Sequence, residues 1–283
     1  MRSQQEHLDL LQRLQSELFV DDLEPPRNSI EWSEARLRAW FEAGGVEAAS
    51  LRETDVKIPR DGSQPLDGKL LWPQDHSAPA LILLWCSANP SKGFGAEHME
   101  SNVPAAIATE CSTVGLALLR FNFSGVRGSG GCRLDPSQTF HPTARDEVQM
   151  AFDFLKSRGC KRIALGGHSM GASMLLPTAA KEVPAAVVCS AYGPLVYKVV
   201  PHDQREKLRA SMLDEVERLP AVPKMFIVGS NDTISPKHAL EEFTMSVKEP
   251  KILKCVAGAN HNFEGHEHIV ARLIVNFVFM EGQ

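Results

Sequence analysis

The chain has 283 residues, of which 43% are hydrophobic and 23% charged, a composition typical of a globular protein. Its 30 Lys and Arg against 35 Asp and Glu give a net charge of −5, which argues against a nucleic-acid partner because phosphate binding requires a basic surface. No apolar run approaches the roughly 20 residues of a membrane span. We therefore expect a soluble protein without a membrane-spanning segment.

The first 53 residues differ from the rest in charge. They hold eleven acidic side chains against six Lys and Arg, which accounts for the whole net charge. Leucines recur at helical spacing from Leu8 to Leu18, and a second helical stretch with two tryptophans runs from Asn28 to Gly44. We predict an acidic helical N-terminal extension over residues 1–53 that packs on the main domain. The alternative is a helical hairpin that binds a protein partner.

From residue 54 onward, short apolar runs alternate with amphipathic stretches, a pattern typical of strands and helices in turn. The first two strands flank Asp61-Gly62 and should pair as an antiparallel hairpin. The predicted strands cover residues 55–59, 68–72, 81–85, 115–123, 162–165, 185–189, 224–228 and 251–256. The predicted helices cover about 97–110, a segment from 142 past 155, about 170–181, about 203–218, 236–246 and about 266–280. This order predicts one α/β domain, residues 54–283, with a mostly parallel eight-stranded sheet and helices on both faces.

The N-terminal residues and the cysteines indicate the compartment. Residues 1–7 contain no apolar core, and the acidic charge that follows argues against a transit peptide. The six cysteines are scattered without a C-x-x-C pair, and Cys and His do not cluster at zinc-ligand spacing. We expect a cytoplasmic protein with reduced, buried thiols, disulfides being the alternative, and neither a metal nor a cofactor.

Gly167-His168-Ser169-Met170-Gly171 is the most informative motif of the sequence. It lies where a predicted strand passes directly into a predicted helix, the setting in which G-x-S-x-G forms a nucleophile elbow. The glycines two residues before and after the serine allow the strand and helix backbones to approach closely. Ser169 is therefore the candidate nucleophile, and the Met170 N–H at the helix start is a candidate oxyanion donor.

Two further residues complete a candidate site. Asp232 follows the strand at 224–228, and His261 follows the strand at 251–256. Because parallel strands end at the same edge of a sheet, both loops should lie near Ser169, and the chain order Ser, Asp, His suits the elbow. We predict that Asp232 orients His261 and that His261 takes the proton of Ser169.

These motifs resemble those of α/β-hydrolase-fold serine hydrolases from about residue 54 to the end. The run from Leu119 to Gly130, which begins Leu-Arg-Phe-Asn-Phe, is similar to the small, cap-poor subgroup related to dienelactone hydrolases. In that superfamily the loop after the third strand often reads His-Gly and supplies the second oxyanion N–H. Here Cys86-Ser87 stands in that place, so the resemblance implies that the Ser87 or Ala88 N–H is the donor. Cys86 itself is either a reactive thiol or, as we expect, a buried apolar residue.

The sequence thus predicts a serine hydrolase that cleaves a small acyl ester or thioester through an acyl-enzyme on Ser169. Tyr192, Val196 and Tyr197 are candidates for the wall of the acyl pocket, with ordinary packing as the alternative. A transferase that passes the acyl group to an alcohol or amine would use the same three residues. A non-catalytic binding protein on a hydrolase scaffold is the other alternative, since a fold does not fix a function.

Overall fold

A computed structural model of the chain describes residues 50–60, 62–87, 98–131, 142–192 and 202–282, and of residues 142, 202–205, 207–209 and 211 it describes only the helical backbone. The strands of these residues are β1 Leu51–Arg60, β2 Ser63–Pro73, β3 Ile82–Cys86, β4 Ala117–Phe121, β5 Ile163–His168, β6 Val187–Ser190, β7 Lys224–Gly229 and β8 Lys251–Val256. Their helices are α1 Asn102–Val114, α2 Pro142–Ser157, α3 Met170–Met174, α4 Leu176–Glu182, α5 His202–Glu217, α6 Lys237–Met245 and α7 Glu267–Glu281. The two N-terminal helices predicted between Leu8 and Gly44 lie outside the described residues, so they stay a prediction. Residues 51–53, the last of the predicted extension, form the start of β1.

The strands of the described residues form one eight-stranded sheet in the order β1-β2-β4-β3-β5-β6-β7-β8. Strand β2 runs antiparallel to both β1 and β4, and every other neighbouring pair is parallel. The prediction of a mostly parallel eight-stranded sheet that opens with a hairpin is confirmed. As a result, β3, β5, β6, β7 and β8 all end at the same edge of the sheet.

Both faces of the sheet are covered, which explains the continuous apolar runs of the central strands. In β3, Leu84 and Cys86 belong to the apolar cluster on one face, and Leu83 and Trp85 belong to the cluster on the other. Side chains of α2, α4, α5 and α6 complete the first cluster, and those of α1 and α7 complete the second. The sheet is therefore the middle layer of three.

Two predicted helices differ from those observed, and proline accounts for both differences. The helix predicted over about 97–110 begins instead at Asn102, because Pro104 is compatible only with the first turn of a helix. The single helix predicted over about 170–181 is divided at Leu175 into α3 and α4. Pro177 has no N–H to donate to the preceding turn, so the helix cannot continue through it.

The longest helices of the described residues, α2 and α5, have 16 residues each. Within this part of the chain, none combines the length and the apolar character that a membrane crossing requires.

Candidate active site

Ser169 occupies a strained turn between β5 and α3. Its φ of 52° and ψ of −116° place it in a region that residues with a side chain rarely adopt. A Cβ on Gly167 would lie 2.7 Å from the carbonyl carbon of Gly171, so the strand can approach the helix this closely only because residue 167 is glycine. The Ser169 N–H donates to the Ser190 carbonyl oxygen at 2.8 Å, which ties the turn to β6. The predicted strand–turn–helix setting of the serine is therefore present.

His261 lies between Ser169 and Asp232 and contacts both. Its Nε2 is 2.9 Å from Ser169 Oγ, and its Nδ1 is 2.9 Å from Asp232 Oδ2. Because a carboxylate oxygen accepts, the hydrogen of the neutral ring lies on Nδ1, and Nε2 is free to accept from the serine hydroxyl. Ser169, His261 and Asp232, which are separated by up to 92 positions in the sequence, thus contact one another in the predicted order.

The Asp232 carboxylate is fixed by the turn that carries it. Its Oδ1 accepts from the backbone N–H groups of Ile234 at 2.8 Å and Ser235 at 2.7 Å, and the side chain is fully buried. Oδ2 therefore points to His261 in a single orientation. The His261 side chain is only 12% exposed, so the ring is largely shielded from water.

The loops after β7 and β8 are joined by several backbone contacts. The N–H of Asn231 donates to the Ala259 carbonyl oxygen at 2.9 Å, and the N–H of Gly258 donates to Ser230 Oγ at 2.8 Å. A Cβ on Gly229 would lie 2.6 Å from the carbonyl carbon of Ala259. The distance between Asp232 and His261 is thus set by the close approach of the two loops.

Two candidate oxyanion residues lie beside the serine turn. Met170 begins α3, and Ser87 follows β3 directly and is buried. A Cβ on Gly171 would lie 2.8 Å from the Cys86 carbonyl carbon and would overlap the carbonyl oxygen of Ser87, so the start of α3 packs against the end of β3. Ala88, the other candidate for the second donor, lies outside the described residues.

The candidate pocket residues are only partly described. Tyr192 is fully buried, and its ring packs 5.1 Å from that of Phe243 and 6.5 Å from that of Phe226, measured between centroids. This is the core packing that the sequence left open as the alternative to a pocket wall. Val196 and Tyr197 lie outside the described residues.

The cysteines near the site are buried thiols. Cys86 and Cys189 have no accessible surface and flank Gly167 in register on neighbouring strands. Burial raises the pKa of the Cys189 thiol to about 12 and raises that of Cys86 as well, so neither forms a thiolate readily near neutral pH. In the described part of the chain every cysteine is free, and no three His, Cys, Asp or Glu side chains lie together as metal ligands would.

Sequence reasoning missed two serines that hold the site together. Ser190 accepts the Ser169 N–H through its carbonyl, and Ser235 donates its hydroxyl hydrogen to the Ala191 carbonyl oxygen at 3.0 Å. These two hydrogen bonds form only because β6 lies beside β5 and beside the turn that carries Asp232. No local motif marks such an alignment, so the sequence carried no signal for either residue.

The strand order, the serine on the sharp turn after β5 and the aspartate and histidine on later loops together define the α/β-hydrolase fold. The chain belongs to the alpha/beta hydrolase domain family, whose model matches residues 91–270. The resemblance found in the sequence is confirmed.

Known proteins are similar to this chain over most of its length. Over 248 residues the chain is 28% identical to an uncharacterized protein from Mycobacterium tuberculosis, with 82% of each chain covered. Solved structures of similar fold include an alpha-beta serine hydrolase homologue from Coxiella burnetii, with a TM-score of 0.63, 21% identity and coverage of 79% of this chain and 96% of that one. Est1E from Butyrivibrio proteoclasticus with bound ferulic acid has a TM-score of 0.66, 18% identity and coverage of 80% and 98%. A dienelactone hydrolase from Anabaena variabilis has a TM-score of 0.60, 20% identity and coverage of 82% and 99%. At these identities the three structures establish the fold.

Proposed function

We propose that this protein is a serine hydrolase that cleaves an ester or thioester of a small acyl group through an acyl-enzyme on Ser169. One observation carries the proposal: His261 lies 2.9 Å from both Ser169 Oγ and Asp232 Oδ2. A serine hydroxyl is a weak nucleophile at neutral pH, and a base held by a third group is what activates it. Membership of the α/β-hydrolase family supports the same chemistry.

In the first half of the proposed reaction, Ser169 Oγ forms a bond to the carbonyl carbon while His261 Nε2 accepts the hydroxyl proton. Asp232 holds the ring by Nδ1 and stabilises the positive charge that develops on it. The carbonyl electron pair moves to oxygen. When this intermediate collapses, the bond to the leaving group breaks and His261 returns the proton to the departing alcohol or thiol.

In the second half, water attacks the acyl-enzyme in the same way. His261 takes a proton from the water, the new carbon–oxygen bond forms, and the Ser169 oxygen leaves with that proton. The free acid is released and the serine is restored. Every group that these steps use belongs to the chain or to water, so the proposed reaction requires no cofactor.

The negative oxygen of both intermediates needs backbone donors near Ser169. We propose the Met170 N–H as one and the N–H of Ser87 or Ala88 as the other. The packing of the start of α3 against the end of β3 supports this pairing, because it brings Met170 and Ser87 to one side of the serine turn. Loss of one such donor typically costs about 3–4 kcal/mol of transition-state stabilisation.

The test uses the full chain, a series of p-nitrophenyl esters of increasing acyl length and a fluorophosphonate probe that labels activated serines. Ser169→Ala should abolish labelling and lower kcat by about 10⁴- to 10⁶-fold. The matched control is Ser112→Ala, an exposed serine on α1, which should behave as the wild type.

The alternatives give different results. Nearly full esterase activity in Ser169→Ala would refute the assignment, and a wild type that is neither labelled nor active would indicate a binding protein on this fold. Product analysis with a competing alcohol or amine separates hydrolysis from transfer. A hydrolase releases mainly the free acid, whereas a transferase gives mainly the new ester or amide.

A further inference from the structure

His168 is a buried polar residue that the proposed reaction does not use. It is the last residue of β5, between Gly167 and the nucleophile, and only 1% of its surface is exposed. Side chains alternate across a strand, so His168 faces away from the side on which Gly167 meets Gly171. Its register partner on β6 is Ser190.

The hydrogen bonds of Ser190 fix the tautomer of His168. Ser190 Oγ donates its single hydrogen to the Gly167 carbonyl oxygen at 3.2 Å. With its hydrogen there, the same oxygen, 3.1 Å from His168 Nδ1, accepts from the ring, and this arrangement leaves no buried N–H on Nε2 without a partner. Nδ1 of His168 thus carries the hydrogen, and Nε2 carries a lone pair.

The surroundings of the ring keep His168 uncharged. Nε2 is buried and has no hydrogen-bond partner among the described residues, so a proton there would be an unsatisfied buried donor. Burial, and secondly the charge that His261 can carry, hold the pKa of His168 well below its usual value of 6.5. The His168 ring therefore stays neutral near pH 7.

The same ring contacts the proposed general base. The ring centroids of His168 and His261 are 5.4 Å apart, with the planes inclined at 51°. The ring of Phe263 also packs against His168, at 5.6 Å between centroids. The two nitrogen contacts of His261 fix the ends of its ring but leave rotation about the line that joins them. A ring packed against it limits that rotation.

We propose that His168 is a positioning residue for His261: Ser190 holds its ring in one tautomer, and that neutral ring supports the imidazole of His261 while it accepts and returns the proton. This role rests on the proposed function. A neutral neighbour suits it because it does not repel the imidazolium that forms on His261.

The tautomer can be measured without any assay of activity. In the ¹⁵N-labelled full chain at about pH 7, long-range ¹H–¹⁵N correlation spectra report which ring nitrogen carries hydrogen. His168, assigned by the loss of its signals in His168→Phe, should be neutral with hydrogen on Nδ1. A protonated ring, or hydrogen on Nε2, would overturn the proposal.

The positioning role is tested by comparing His168→Phe with His168→Ala. His168→Ala removes the ring and should lower kcat by about tenfold or more with KM nearly unchanged, because a small displacement of a catalytic group is costly. His168→Phe keeps a ring and should lose distinctly less. His238→Gln, an exposed histidine on α6, is the control and should match the wild type.

A purely structural role would give another result. Rates are divided by the number of active sites that the fluorophosphonate probe titrates. A variant that only folds poorly would then show the wild-type kcat per site. That result would overturn the positioning role but not the proposed function. Equal kcat in both variants and the wild type would do the same. A wild type that is neither labelled nor active would overturn the proposed function together with this inference.

Discussion

Gly229 and Ala259 approach so closely that a Cβ on Gly229 would lie 2.6 Å from the carbonyl carbon of Ala259. Gly229 ends β7, three residues before Asp232, and Ala259 precedes His261 by two. The contact therefore sets how far the carboxylate lies from the imidazole. Glycine is required here for space, since its neighbour is rigid backbone.

We predict that Gly229→Ala separates the two loops and lowers kcat by about 100-fold, with a lower Tm, because a shift of about 1 Å in a catalytic group has an effect of that size. Steady-state ester hydrolysis and thermal unfolding measure the two effects. The control is Gly62→Ala in the β1–β2 turn, where a Cβ would meet nothing within 4 Å. It should destabilise slightly, because Gly62 has a positive φ, and leave kcat unchanged. Wild-type kcat in Gly229→Ala would contradict the role given to this contact.

Asp232→Asn should lower kcat by about 10⁴-fold while the protein remains folded. Oδ1 of Asp232 accepts from two backbone N–H groups, so the amide oxygen of asparagine must take that position. The NH₂ group then faces His261 Nδ1, which has to accept and forces the ring hydrogen onto Nε2. In that tautomer His261 cannot take the proton of Ser169.

Initial rates for Asp232→Asn, with folding checked by circular dichroism, provide the measurement. Asp214→Asn, on the exposed face of α5, is the matched control and should keep the wild-type rate. A loss of less than about tenfold in Asp232→Asn would show that the tautomer of His261 is not set by Asp232.

Much of this architecture could be predicted because each element leaves a local mark in the sequence. The strand that precedes Ser169 is apolar and has two glycines near its end, and Asp232 and His261 both lie in short polar loops that follow apolar strands. The parallel sheet then brings the loops to one edge, as observed. The parallel direction of the strands and the positions of the loops were therefore sufficient for the three central residues.

The remaining features depend on contacts between strands that are distant in sequence. Ser190 and His168 become partners only through the register of β6 with β5, and a one-residue slip would have turned their side chains to opposite faces. The hydrogen bond from the Ser235 hydroxyl to the Ala191 carbonyl likewise depends on the folded chain and has no local pattern in the sequence. The division of the helix at Leu175, by contrast, is predictable from the sequence, because Pro177 has no N–H to donate to the preceding turn.

Ser235→Ala should reduce stability more than activity. Its hydroxyl satisfies the buried Ala191 carbonyl, so its loss should lower the free energy of unfolding by about 1–3 kcal/mol. The backbone N–H of residue 235 still donates to Asp232, and kcat should therefore fall by less than about tenfold. Urea unfolding and ester hydrolysis measure the two, with the exposed Ser246→Ala as control. A loss of kcat without a loss of stability would contradict this division.

His168 should make the stability of the protein depend on pH below neutrality. Its pKa is held well below 6.5 in the folded protein, whereas the unfolded chain binds a proton at about the ordinary value. Its contribution to stability is therefore fully present above pH 6.5 and is lost as the pH falls toward the folded-state pKa, by at most about 1.4 kcal/mol per pH unit. The titratable side chain whose charge acts on it is His261.

Urea unfolding of the wild type and His168→Phe at about pH 7.5, 6.5 and 5.5 isolates the effect as a difference that changes with pH. As the pH falls, the free energy of unfolding of the wild type should decrease relative to that of His168→Phe. The control His238→Gln should show the same pH dependence as the wild type. If the free energies of the wild type and His168→Phe instead change in parallel with pH, His168 takes up its proton without unfolding.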